Sequence, residues 1–181
     1  MTTVAATRSK TYDLVYIAVF AVVMAVCSWI SIPAQVPFTL QTFGVFMAVG
    51  VLGGKRGSLA VLVYILLGVI GVPVFAGFSG GLGILLNNTG GYIIGFLFTA
   101  VFLAYFRGEK YSFKRYALLG CVIGIPLIYV FGVVQLKLIT GMGWDKAIMT
   151  GALPFIPLDI VKCLAAAVIA GPINRIFANN R

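Results

Sequence analysis

Residues 73–91 read PVFAGFSGGLGILLNNTGG and contain no charged side chain. The stretch is too apolar for a solvated loop. It is also too glycine-rich for a stable helix, since each interior Gly costs about 1 kcal/mol relative to Ala. Irregular backbone at membrane depth survives only where protein buries it or where it lines a cavity. The stretch therefore predicts a segment that folds back over a helical bundle and helps to close a pocket.

The composition calls for such a bundle. The 181 residues are 61% hydrophobic and 9% charged, whereas a soluble domain carries about 45–50% apolar and about 25% charged residues. Lipid must solvate the surplus, so the chain reads as an all-α integral membrane protein. Four acidic residues and no histidine remove imidazole triads, histidine metal sites and proton shuttles near neutral pH. Cys27, Cys121 and Cys163 lie inside apolar runs without metal-ligand spacing and read as small packing residues.

A spanning helix needs about 20 mostly apolar residues. Six candidates follow, at 12–32, 40–54, 57–72, 90–106, 116–139 and 158–177, in a single transmembrane domain covering 1–181. The second and third are short for a full span. The first is longer than a signal-peptide core of about 7–15 residues and reads as a retained span. Pro33, Pro73 and Pro157 punctuate helix ends.

With six spans the charges segregate. Arg8, Lys10, Lys55, Arg56, Arg107, Lys110, Lys114, Arg115, Arg175 and Arg181 fall on one side, and Lys137 and Lys146 on the other. The positive-inside rule then places both termini in the cytoplasm of a multi-pass protein of the cell membrane. The net charge of +9 is thus spent on topology; nucleic-acid binding would need it gathered on one soluble face. The three outer connections, 33–39, 73–89 and 140–157, are rich in Gly, Pro, Asn and aromatic residues and read as re-entrant caps.

Asp159 and Lys162 stand three residues apart at the outer end of the last span and so share a helix face. Ionisable residues in a span are costly and usually face an interior or cavity as a pair. They either pin the helix at the interface or meet a polar ligand, Asp159 accepting and Lys162 donating hydrogen bonds. Asn87, Asn88 and Thr89 are a second polar cluster, suited to fixing a ligand's orientation or to plain turn chemistry before Gly90. Gln35, Thr39, Gln41 and Thr42 surround the first outer connection. Phe38, Phe43, Phe75, Phe78, Tyr92, Trp144 and Phe155 crowd the same layer, as an interfacial belt or as pocket walls.

Two literal motif matches carry no chemistry. Gly77-Phe78-Ser79-Gly80-Gly81 fits G-x-S-x-G, but that elbow needs a histidine base. Gly54-Lys55-Arg56 lacks P-loop spacing, so any ATP hydrolysis belongs to another chain. Ala18, Ala21 and Ala25 in the first span, and the pairs Gly91/Gly95 and Gly120/Gly124, form small-residue faces that let helices approach closely.

The strings PFTLQTFGVFMAVGVLGGKRG, YILLGVIGVPVFAGFSGGLGILLNNTGGYIIGF and ALPFIPLDIVKCLAAA resemble the BioY family, the biotin-specific S components of energy-coupling factor transporters. The resemblance runs over 12–177. It implies an S-component bundle of six transmembrane helices with a biotin site near the outer face. It also implies a transmembrane coupling protein and two ABC-type ATPases as partners, and no cofactor or metal, biotin being the transported ligand. The family's Asp-x-x-Lys in the last helix falls on Asp159 and Lys162. Its small-residue pattern facing the coupling protein falls on Ala18, Ala21 and Ala25, although Ala18 is followed four residues on by Val22. Substrate-binding roles are accordingly expected for Asp159, Lys162, Asn87, Gln41, Phe38, Phe75, Tyr92 and Trp144. The rival readings are an S component for another vitamin, a solitary or ion-coupled transporter, and an intramembrane enzyme. The last is disfavoured by the missing histidine and by the lack of any carboxylate within the spans beyond Asp159 and the terminal Asp13.

Overall fold

The computed structural model describes residues 2–108 and 110–179, with side chains for 10–108 and 110–176. Arg8 and Arg181, two of the charges used above, lie outside the described side chains. Helix α1 (Thr2–Trp29) leads into an antiparallel ribbon of β1 (Ser31–Ile32) and β2 (Phe38–Thr39), with Ser31 opposite Thr39. Helices α2 (Gln41–Leu52) and α3 (Gly54–Val69) follow, then a loop holding a 3₁₀ turn (Ala76–Phe78) and the short α4 (Leu82–Leu85). The chain continues through α5 (Gly90–Phe106), α6 (Phe113–Leu119), a π turn (Gly120–Gly124), α7 (Ile125–Thr140), α8 (Trp144–Gly151) and α9 (Ile156–Asn179).

Among the described residues, three helices are long and apolar enough to cross a bilayer: Lys10–Trp29, Phe113–Thr140 and Ile156–Ile176. Gln41–Leu52 and Gly90–Phe106 are shorter apolar helices. Two connections differ from the sequence reading. The gap expected between 54 and 57 shrinks to Gly53, whose φ of +76° turns the chain in one residue and hands Lys55 and Arg56 to the first turn of α3. The third outer connection contains α8, an amphipathic helix with Ala147 and Gly151 on its buried face. Gly141 stops α7 in the left-handed conformation just before it.

Helix α2 is the hub. All of its twelve residues except Phe43 are buried, as expected of a helix that is apolar all round. It packs against α9 on one flank and against α1 and α3 on another, while α5 bridges α3 and α7. Small residues set these distances. A side chain at Gly50 would press on Ala170 of α9, one at Gly95 would meet the backbone of Ile128, and one at Gly132 would overlap the Tyr92 ring. Pro126 lies inside the continuous Phe113–Thr140 run. A helical proline clashes with the carbonyl four residues back, here Val122. The π turn at Gly120–Gly124 opens the helix at that point and lets the run continue.

The turn of α1 around Asp13 and the turn of α9 around Asn174 share one end of the bundle. Arg56 pairs with Asp13 of α1 at 2.6 Å, and Asn174 Nδ2 of α9 donates to the Val51 carbonyl at 2.7 Å. The opposite end carries the three irregular connections.

Candidate binding site

The 73–89 segment is roofed down by side chains of the bundle. Trp29 Nε1 donates to the Pro73 carbonyl at 2.9 Å. The Val74 carbonyl accepts from the Ser28 hydroxyl and, at 3.0 Å, from the Tyr64 hydroxyl. Gln135 Nε2 reaches the Leu85 and Asn87 carbonyls, both at 2.7 Å, and Asn88 Nδ2 reaches the Gln35 carbonyl of the first connection at 2.9 Å. These bonds satisfy backbone that has no regular ladder, which is the condition for placing it at membrane depth. Phe75 anchors the segment: it is 1% exposed, edge-on to Tyr64 with ring centroids 5.6 Å apart. Its ring lies so close over Gly68 that any side chain there would strike it.

Beneath this roof lies a cavity of about 130 Å³, roughly ten times the ~10–15 Å³ that one water needs on this measure. Val36, Pro37 and Thr39 come from the first connection, Phe75, Ala76, Ser79, Ile84 and Thr89 from the second, and Phe155 from the third. The helices add Gln41 and Thr42 of α2, Tyr92, Ile93 and Phe96 of α5, Ile128 and Tyr129 of α7, and Asp159 and Lys162 of α9. Mostly apolar walls with a few converging polar groups are the usual make-up of a small-molecule pocket.

The polar groups are built around one carboxylate. Asp159 is buried, with its Oδ1 2.8 Å from Lys162 Nζ and its Oδ2 accepting from the Tyr129 hydroxyl at 2.6 Å. Lys162 Nζ also donates to the Thr39 carbonyl at 2.7 Å. Two of the three ammonium protons are thus used, and each carboxylate oxygen retains acceptor capacity. Pro157 sits in the first turn of α9, where its missing N–H costs nothing, and Asp159 N–H bonds to the Phe155 carbonyl at 2.9 Å. That start places the i, i+3 pair on the cavity face. Gln41 Nε2 donates to the Tyr64 hydroxyl at 2.7 Å, joining the cavity wall to the roof.

Of the residues singled out in the sequence, Asp159, Lys162, Gln41, Phe75 and Tyr92 line the cavity. Tyr92 directs its hydroxyl to the Gly151 carbonyl at 2.8 Å, so it also ties down the third connection. Asn87, Phe38 and Trp144 do not line it. Asn87 is exposed and accepts from the N–H of Asn88. Phe38 backs the wall by stacking on Phe155, with centroids 4.0 Å apart. Trp144 is half-exposed on an apolar groove beside α7, under the Lys137 ammonium.

Contrary to expectation, two of the helix-one alanines, Ala21 and Ala25, do not face outward. Ala21 and Ala25 are buried within the chain, against the bundle core, so a partner cannot reach them in this arrangement; Ala18 is exposed. Their side chains serve internal packing, whereas Ala18 lies on the exposed face of the helix with Leu14, Val15 and Val22.

Sequence reasoning missed Tyr129. Its signal was a phenol in the middle of the 116–139 apolar run, where a buried hydroxyl needs a partner. The Thr39 carbonyl that binds Lys162 had no sequence signal at all.

A pocket walled by apolar side chains, closed by re-entrant loops and furnished with a single ion pair, defines a helical membrane protein that captures a small molecule. The BioY family model matches residues 1–179, and the chain belongs to the BioY family. It is 44% identical over 159 residues to a biotin transporter BioY of Thermotoga maritima, covering 87% of this chain and 93% of the relative. It is 41% identical to a probable biotin transporter BioY of Pyrococcus horikoshii, covering 89% and 95%. The fold matches the crystal structure of an S-component for biotin from an ECF-type ABC transporter, with a TM-score of 0.87 and 27% identity over 97% of this chain and 95% of that one.

Proposed function

We propose that this chain is the biotin-binding S component of an energy-coupling factor uptake system and holds biotin in the cavity over Asp159 and Lys162. The observation that carries the reading is the pair itself, with spare hydrogen-bonding capacity beside apolar walls. Biotin offers two ureido N–H donors, a ureido carbonyl, an apolar thiophane ring and a carboxylate tail. Asp159 accepts from the ureido N–H groups, and the third proton of Lys162 serves a ligand oxygen. The thiophane ring lies among Phe75, Tyr92 and Phe155. Asn87, exposed beside Thr89, is left the tail.

Six helical segments cross the cell membrane, with both termini in the cytoplasm and the cavity facing outward. The clustering of Lys55, Arg56, Lys114 and Arg115 at the end that holds Asp13 and Asn174 supports this orientation. A transmembrane coupling protein and two ABC-type ATPases complete the transporter and supply the ATP hydrolysis for which this sequence has no P-loop.

Equilibrium binding of labelled biotin to the purified chain in detergent, without partners or ATP, tests the reading. Saturable 1:1 binding, competed by biotin and not by thiamine or riboflavin, is expected. Folded protein that fails to bind biotin would overturn it.

A further inference from the structure

At the end of the bundle that holds Asp13 and Asn174, α3 and α5 leave between them a groove of about 500 Å³, remote from the biotin cavity. Its floor is cut by small residues, Gly54, Ser58 and Ala104. The Ser58 hydroxyl is turned inward to the Gly54 and Ala100 carbonyls, at 3.3 and 3.1 Å, and adds little polarity. Leu59, Leu62, Leu97 and Val101 make the walls. From Lys55 to Leu62, and from Tyr105 back to Leu97, the groove follows the helices for roughly 10–12 Å.

At its mouth stands Lys55, exposed. Among the described residues the ion pairs are Arg56 with Asp13 and Lys162 with Asp159, and no described carboxylate pairs with Lys55. A hydrocarbon chain alone would need no cation, and a soluble anion would need no apolar trough two turns long. The two features together match a molecule with both parts. We propose that this groove seats an anionic phospholipid, one acyl chain lying between α3 and α5 and its net-negative headgroup resting on the Lys55 ammonium. A second apolar groove, beside α7 and α8, has a volume of about 430 Å³ and no charged residue in its lining.

The experiment is lipid retention by the intact chain in detergent, counted by native mass spectrometry with phosphatidylglycerol and phosphatidylcholine of equal chain length. Wild type is expected to prefer phosphatidylglycerol about fivefold, the effect of one basic side chain near an anionic headgroup. The preference should vanish in K55Q and persist in K55R. V101W, which fills the trough from an exposed position, should lose the phosphatidylglycerol preference altogether. Monodisperse elution and an unchanged lipid-free unfolding temperature establish that the variants fold. Equal retention of the two lipids by wild type would overturn the proposal. So would a preference surviving in K55Q, or a V101W chain that binds as wild type does because the true occupant lies elsewhere.

Discussion

The Tyr129 hydroxyl donates to Oδ2 of Asp159 at 2.6 Å, across the gap between α7 and α9. The phenol and the Lys162 ammonium hold the carboxylate from its two oxygens, so its plane is fixed before a ligand arrives. A preset acceptor loses less freedom on binding than a mobile one.

Tyr129→Phe keeps the ring and deletes that bond. Hydrogen bonds to charged groups contribute about 1.5–3 kcal/mol, so biotin affinity should fall about tenfold or more. Equilibrium binding reads the loss, while the elution profile stays that of wild type. An unchanged affinity would mean that Asp159 needs no second anchor.

The ion pair gives a test by thermodynamic cycle. Asp159→Ala strands an ammonium and Lys162→Ala strands a carboxylate in a site where neither is well solvated. Each single change is expected to destabilise by about 3 kcal/mol. The double variant should cost clearly less than the two combined, because no lone charge remains. Denaturation in detergent measures all three. Biotin binding should be weakened in every one of them.

Gly132→Ala drives a methyl group into the Tyr92 ring. Overpacking of this kind costs about 1–3 kcal/mol, and moving Tyr92 breaks its bond to the Gly151 carbonyl. A lower unfolding temperature and faster biotin release should appear together. Thermal scans and a dissociation time course would show whether they do.

Phe75→Ala and Trp144→Ala separate the two kinds of aromatic residue. Phe75 is fully enclosed, and its truncation should cost about 3–5 kcal/mol of stability and abolish tight binding. Trp144 lines a different groove, so its loss should leave the biotin Kd within about twofold, as expected where a contact is absent. A large effect of Trp144→Ala on affinity would require the cavity to extend toward α8.

The helical bundle was legible because apolar runs and glycine-rich interruptions report directly on lipid and on re-entrant backbone. Asp159 and Lys162 were legible for the same reason: charge inside a span is rare enough to carry meaning. Tyr129 was not, since tyrosine is at home both in a membrane interface and in a core, and only the packing of α7 on α9 shows which role applies. Ala21 and Ala25 misled because small residues favour close approach without saying whether the neighbour belongs to the same chain. Helix α8 was hidden by its setting, a short amphipathic segment between Gly141 and Pro154 that reads as loop. Gly53 was hidden differently: nothing in a Gly-Gly pair says that one residue suffices for the turn.

The roof over the cavity is fastened through its own carbonyl groups, those of Pro73, Val74, Leu85 and Asn87, to Trp29, Ser28, Tyr64 and Gln135. A carbonyl is present whatever residue bears it. Apart from Phe75 and Asn88, whose side chains also hold the segment, and Gly77, Gly80 and Gly81, where a side chain would strain or strike the backbone, most residues of the 73–89 segment are therefore free to change over evolutionary time without unfastening it. The scaffold is in this sense a fixed frame with an exchangeable lining, on which selectivity for a cargo can be rewritten while the closure is inherited intact.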